Sequence, residues 1–232
     1  MDKWVCFKRY QLGCLFLLAA PFFSFGQPLF LNKLAKGVPQ HIVVYGTSLS
    51  SGQNGKNWME PVKDRLEEVY GKSLVSYTLA GKGGKWSTWG VQHLQDSVLK
   101  KNPDVVLMEF GMNDAFRDYK TSVATARENL INMIKRIRSH NPHCEIILQV
   151  MNMPIGKSAS YRPNLTAYYE MYRAVAKELN TGLIDHYDNW QAVLNQGEEA
   201  FRAYVPDGLH PNEKGNREIV AANILAVWGL AD

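Results

Sequence analysis

The sequence predicts a doubly wound α/β fold: a five-stranded, mainly parallel sheet with helices on both faces. Three observations carry this expectation. Five short apolar runs recur along the chain, and helical patterns separate most of them. The runs are continuously apolar rather than alternating, which fits strands covered on both faces. Three of them stop at a glycine, where a strand must turn.

The elements follow in order. Residues 27–39 carry Pro28, Gly37 and Pro39 and read as a lead-in. "HIVVYG" (41–46) is a β-branched run closed by Gly46. A short helix is expected over 58–70. "LVSYTLA" (74–80) is the second strand and Gly81 its stop; another short helix is expected over 91–100. "DVVLMEFG" (104–111) enters through Pro103 and ends at Gly111. Val123, Ala126, Leu130, Met133, Ile134 and Ile137 then repeat at helical spacing until Asn141-Pro142 ends the pattern. "CEIILQVMN" (144–152) is the fourth strand. Leu165, Tyr168, Tyr172, Val175 and Leu179 mark a helix with Gly182 past its end. "GLIDHY" (182–187) is the fifth strand, and a last helix is expected from about Glu213 to Trp228.

The chain has 232 residues, of which 46% are hydrophobic and 21% charged, enough for one domain with a sizeable core. Residues 1–26 stand apart from it. Lys3, Lys8 and Arg9 precede an apolar run from Leu12 to Phe25, and Ser24 and Gly26 occupy the small-residue positions of a cut before Gln27. This pattern predicts a cleaved secretory signal, an exported protein and a single domain over 27–232. The run is too short for a spanning helix and contains Pro21, so no stable membrane insertion is expected after cleavage. Cleavage leaves 23 basic against 21 acidic residues, a net charge of +2. No Lys/Arg cluster falls on a predicted face, which argues against nucleic acid as a partner. Cys144 is the one cysteine beyond residue 26, so no internal disulfide is expected.

In a doubly wound sheet the ligand crevice forms outside the carboxyl ends of the strands. The segments there are Gly46-Thr47-Ser48, Gly81 to Gly84, and Gly111 to Asp114, joined by "PDGLHP" (206–211) before the last helix. Acyl transfer needs a nucleophile, a base, a group that orients the base, and donors for the oxyanion. Ser48 can be the nucleophile and His210 the base. Asp207, three residues earlier, can fold back onto one ring nitrogen of His210 and leave the other for Ser48. The N–H groups of Ser48 and Gly81 and the side-chain amide of Asn113 can be the donors. Asp114, Asp185 and His186 are expected to be structural.

The four blocks "YGTSLSSG", "LAGKGG", "FGMND" and "PDGLHP", in this order, resemble the SGNH/GDSL hydrolase family. The resemblance covers about residues 41–228. It implies a flavodoxin-like α/β/α sandwich and an esterase with Ser48, Asp207 and His210 as its triad. It also implies an oxyanion hole of Ser48, Gly81 and Asn113, with no cofactor and no metal. Two positions depart from the family pattern. Thr47 stands where an aspartate is usual, and Leu79-Ala80 stands where an asparagine precedes the glycine. "GKSL" (71–74) is a decoy, because it precedes a strand and lies at the wrong sheet edge.

Trp86 and Trp89 follow Gly81 and are candidate platforms for a sugar ring, as is Trp58 after the nucleophile turn; core packing is the competing role for all three. The favoured substrate is an O-acetylated carbohydrate, small or polymeric. A lipid or lysophospholipid ester and a silent carbohydrate-binding protein on the same fold are the alternatives.

Overall fold

The structure is a computed structural model and describes residues 28–231. The predicted signal at 1–26 lies outside the described residues. Five parallel strands form one sheet: β1 (Gln40–Gly46), β2 (Val75–Leu79), β3 (Val105–Glu109), β4 (Glu145–Val150) and β5 (Gly182–Asp185). Their spatial order is β2-β1-β3-β4-β5. The first predicted run was one residue short, and the other four were two or three residues too long, because apolar character continues past the residues that pair.

The helices are α1 (Leu29–Leu34), α2 (Gly52–Tyr70), α3 (Ser87–Ser97), α4 (Gly111–Asp114), α5 (Val123–His140), α6 (Gly156–Ser160), α7 (Leu165–Leu179), α8 (Tyr187–Leu194) and α9 (Glu198–Arg202). At the C-terminus α10 (Glu213–Gly215) passes through a wider π turn (Asn216–Ala221) into α11 (Ala222–Val227). Right-handed crossovers decide which face each helix covers. The step from β1 to β2 runs opposite to every later step. Therefore α2 covers one face, where the C-terminal helices join it, and α3, α5 and α7 pack side by side on the other.

The strand order has one consequence for function. The chain reverses direction at β1, so a crevice opens between the carboxyl ends of β1 and β3. Ser48 follows β1 and Asn113 follows β3. "GKSL" lies at the other edge, as predicted: Ser73 sits in the turn before β2 with φ 65°.

Several residues at the strand ends and along the helices are held by packing. Trp58, Trp190 and Trp228 are fully buried. Trp58 is therefore core and not a sugar platform. Its indole N–H donates to Leu49 O at 3.1 Å, so one core residue also pins the turn that carries Ser48. Cys144 is buried, as expected for a small apolar residue. His186 is fully buried between Gln149 and Asn223, and burial lowers its pKa to about 4.

Trp58→Phe removes both indole volume and the bond to Leu49. The expected loss is about 1–4 kcal/mol of unfolding free energy, read from urea melts. A variant as stable as the parent would show that the indole contributes little.

Candidate active site

The turn that carries Ser48 is built around a buried carboxylate. Gly46 and Glu109 are register partners at the ends of β1 and β3. A methyl group at Gly46 would lie 2.3 Å from Glu109 O and 2.4 Å from its Oε1, so only glycine lets the two strands meet this way. The Glu109 side chain then reaches over Gly46 to the turn. Its Oε1 accepts the Thr47 N–H at 2.6 Å, and Thr47 Oγ1 contacts Oε1 and Oε2 at 2.9 and 3.1 Å. Thr47 Oγ1 in turn accepts the Leu49 N–H at 3.2 Å. Thr47 therefore works as a relay: the carboxylate comes from the neighbouring strand, and the hydroxyl carries its hold across Ser48.

Gly81 closes the turn from the β2 side. A methyl group there would lie 3.1 Å from each of three carbonyl oxygens, those of Gly46, Thr47 and Ser50. With Ala80 before it, the support comes from main chain: Ala80 N–H donates to Val44 O at 2.8 Å and Lys82 N–H to Gly46 O at 2.9 Å. Among the described residues, neither the Ser48 N–H nor the Gly81 N–H has a hydrogen-bond acceptor.

The third segment is α4, "GMND". Phe110 N–H donates to Tyr172 Oη at 2.8 Å and Arg162 Nε donates to Met112 O at 2.8 Å, which fixes both ends of the turn. Asn113 is buried and gives one amide N–H to Lys85 O at 2.8 Å. That bond sets the orientation of the amide and leaves its second N–H uncommitted. Asp114 is also buried, and its Oδ1 accepts the Ser87 N–H at the start of α3 at 2.9 Å.

The fourth segment brings Asp207 and His210. Ser48 Oγ lies 2.9 Å from His210 Nε2, and His210 Nδ1 lies 2.7 Å from Asp207 Oδ2. The other Asp207 oxygen accepts the N–H groups of Leu209 and His210 at 2.8 and 2.7 Å. Burial pushes the Asp207 pKa up, but these bonds and His210 outweigh it and hold the carboxyl below its ordinary value. The loop is tied down by Asn152 Nδ2 to Leu209 O at 2.9 Å, Ile155 N–H to Gly208 O at 2.9 Å and Asn216 Nδ2 to Pro211 O at 3.0 Å.

The predicted aromatic residues separate. Trp86 is half-buried and stacks on Tyr119, with centroids 4.3 Å apart and an interplanar angle of 19°. Trp89, on α3, packs instead on Tyr45 and stacks on His93. Among the described residues, no group of three or more His, Cys, Asp or Glu could hold a metal ion. A cavity of about 530 Å³ opens elsewhere, between α1, Trp228 and the starts of β4 and β5. It includes none of the motif residues and sits at the amino edge of the sheet, where doubly wound folds do not place their ligands.

Glu109 is the residue that motif reading missed. Its signal was an acid inside the apolar run "DVVLMEFG". A buried carboxylate must find donors, and the nearest backbone turn is the one that holds Ser48. Burial raises its pKa to about 7. The Thr47 N–H and the Ser50 and Thr47 hydroxyls pull it down, and the Asp114 charge raises it again. Ser50 Oγ is itself buried and lacks a hydrogen-bond partner among the described residues.

A carboxyl whose folded pKa lies above its ordinary 4.5 binds its proton more tightly in the native state. Its contribution to stability therefore falls as pH climbs from about 4.5 through about 7. Glu109→Gln cannot ionise. In urea melts from pH 4.5 to 8, the variant should gain on the parent by on the order of 3 kcal/mol across that window. A constant difference would show that the Glu109 pKa is not raised.

Comparison with known proteins identifies the family. Residues 44–218 match the model of the GDSL-like Lipase/Acylhydrolase family. An arylesterase of Vibrio mimicus is 25% identical over 185 residues, covering 78% of this chain and 85% of that protein. Esterase TesA of Pseudomonas aeruginosa is 24% identical over 176 residues, covering 74% and 80%. Among solved structures, a lipase/acylhydrolase from Enterococcus faecalis is 27% identical with a TM-score of 0.68, covering 81% of this chain and 94% of its own. An acetylxylan esterase from Geobacillus stearothermophilus shares the fold at 18% identity, with a TM-score of 0.72 and coverage of 84% and 97%. Solved catalytic mutants of that esterase replace a serine, an aspartate and a histidine, the last two three positions apart. The family match runs from the end of β1 past β5 and includes the segments that carry Ser48, Gly81, Asn113 and His210, and the chain belongs to the GDSL-like lipase/acylhydrolase family, as a hydrolase of ester bonds.

Proposed function

We propose that the chain is an exported serine esterase that removes O-acetyl groups from carbohydrate, with Ser48, His210 and Asp207 as its triad. The observation that carries the mechanism is the continuous chain from Ser48 Oγ through both His210 nitrogens to Asp207, at 2.9 and 2.7 Å. Asp207 accepts the Nδ1 proton and so leaves Nε2 as the acceptor for Ser48. Ser48 Oγ attacks the ester carbonyl carbon as its proton passes to Nε2. The carbonyl oxygen becomes an oxyanion, and the N–H groups of Ser48, Gly81 and Asn113 are the donors at hand for it. The bond to the sugar oxygen then breaks, and that oxygen takes the proton from His210. A water molecule, deprotonated by His210, attacks the acetyl-serine. Acetate leaves, and Ser48 regains its proton.

Supporting the substrate class are the structural likeness to an acetylxylan esterase and the stacked Trp86–Tyr119 pair on the loops around Ser48. A ring pair with part of its surface in solvent suits the C–H face of a sugar. Among the described residues, no helix is long and apolar enough to cross a membrane. Export rests on the signal pattern of residues 1–26.

Ser48→Ala and His210→Ala should each lower kcat on p-nitrophenyl acetate by about 10⁴-fold or more, with an unchanged circular dichroism spectrum. Unchanged turnover in Ser48→Ala rejects the mechanism. A panel of acetylated xylo-oligosaccharides and long-chain esters then tests the substrate class. Preference for the long chains rejects the carbohydrate reading.

A further inference from the structure

We propose that the ester presented to Ser48 belongs to an acidic saccharide, one carrying uronate carboxylates, which unpaired lysines on the three loops that meet around Ser48 recognise. The proposal rests on the esterase reading of Ser48 and narrows its substrate.

Three loops meet around the nucleophile. The first is 81–86. A methyl group on Gly83 would lie 3.7 Å from Ser48 Cβ, so this loop touches the nucleophile directly. Lys82 and Lys85 flank that point, and their backbones are fixed by Gly46 and Asn113. The second loop, 115–121, is tied to the first by Tyr119 Oη to Gly84 O at 2.8 Å and by the Trp86 stack. Arg117 and Lys120 stand near Tyr119 in sequence, and both are exposed. The third, 153–162, is joined to the base-bearing loop through Ile155 and Gly208, and to the second loop by Arg117 N–H to Tyr161 O at 3.0 Å. It carries exposed Lys157, whose ammonium lies 6.0 Å from the Tyr161 ring; the Arg117 guanidinium lies 4.7 Å from the same ring.

The charges on these loops do not balance. Arg117 has Asp118 at 3.6 Å, and Asp207 is committed to His210. Arg162 is buried and committed to Met112 O and Ser158 O. Lys82, Lys85, Lys120 and Lys157 have no carboxylate partner among the described residues. In sequence they are dispersed; the fold gathers them at one edge. An ammonium is a mobile point charge on a long stem, suited to carboxylates spaced along a polymer. A neutral acetylated glycan would have no use for such a field, whereas an acidic one is concentrated by it.

An anionic lipid ester would also answer the charge. It would need exposed apolar lining beside Ser48. Among the described residues the large, well-exposed hydrophobic ones are Leu29, Val38, Val69 and Val227, and none lies on these three loops, whose large, partly exposed apolar residues are aromatic. The aromatic stack therefore favours a sugar.

The test compares acetylated oligogalacturonate with acetylated xylo-oligosaccharide of equal length, alongside lysophosphatidylglycerol and p-nitrophenyl acetate. The parent should favour the acidic oligosaccharide in kcat/KM by about tenfold, through KM, and raising NaCl from about 0.02 to 0.5 M should erase the preference. In Lys82→Gln/Lys120→Gln/Lys157→Gln the acidic-to-neutral ratio should fall about tenfold, as expected for three partly screened contacts. Equal rates on both oligosaccharides, a ratio indifferent to salt, or faster turnover of the lysophospholipid would each overturn the proposal. Turnover of p-nitrophenyl acetate that Ser48→Ala abolishes would then leave the esterase reading standing. Its absence would overturn both.

Discussion

The site depends on one interaction, the grip of the Glu109 carboxylate on the Thr47 main chain and hydroxyl. A parallel sheet leaves the residues beyond its strand ends without ladder partners. The turn after β1 must nevertheless hold Ser48 toward His210, which arrives from far along the chain. Glu109 supplies the missing partner from the adjacent strand, and Gly46 makes room for it. Ionising a buried carboxyl is costly unless donors converge on it. Here the donors belong to the turn itself, so the group that needs the turn is also the group that fixes it.

This bears on the departure at Thr47. A hydroxyl is a weaker anchor than a carboxylate, and by itself it would hold the turn less firmly. The structure shows that it does not act by itself. Thr47 Oγ1 sits between the Leu49 N–H and Glu109, and Trp58 holds Leu49 from the core side. The turn is restrained at Thr47 and Leu49, on either side of Ser48, whose hydroxyl is left to His210.

The sheet was legible in the sequence because fully covered strands are continuous apolar runs, and their glycine stops mark the functional edge. Ser48, Gly81, Asn113, Asp207 and His210 were legible for the same reason: each follows such a stop or sits in a short, distinctive turn. Helix starts were not. The helix α2 begins at Gly52, six residues before the predicted start, since Gly52 to Asn57 shows no apolar period and two glycines. It forms there because Gly55 packs against the Ser50 carbonyl, where a methyl group would lie 2.6 Å away. The helices α8 and α9 were missed because each buries few residues, chiefly Trp190 and Val193 in one and Phe201 in the other. Glu109 was missed because a lone acid in an apolar run matches no spacing. Only the pairing of β1 with β3 brings its partner within reach.

Asp207 and His210 lie three residues apart and are held by the same tight loop, whereas Ser48 lies 162 residues from His210. Loop-closure entropy makes the first pairing nearly free of topological cost and the second a long-range event. The Asp207–His210 pair can therefore form as soon as its own few residues turn, but it meets Ser48 only after the strands between them have docked. Catalytic competence is thus a reporter of the final stage of assembly. A refolding chain would recover helical signal first, sheet next, and turnover last.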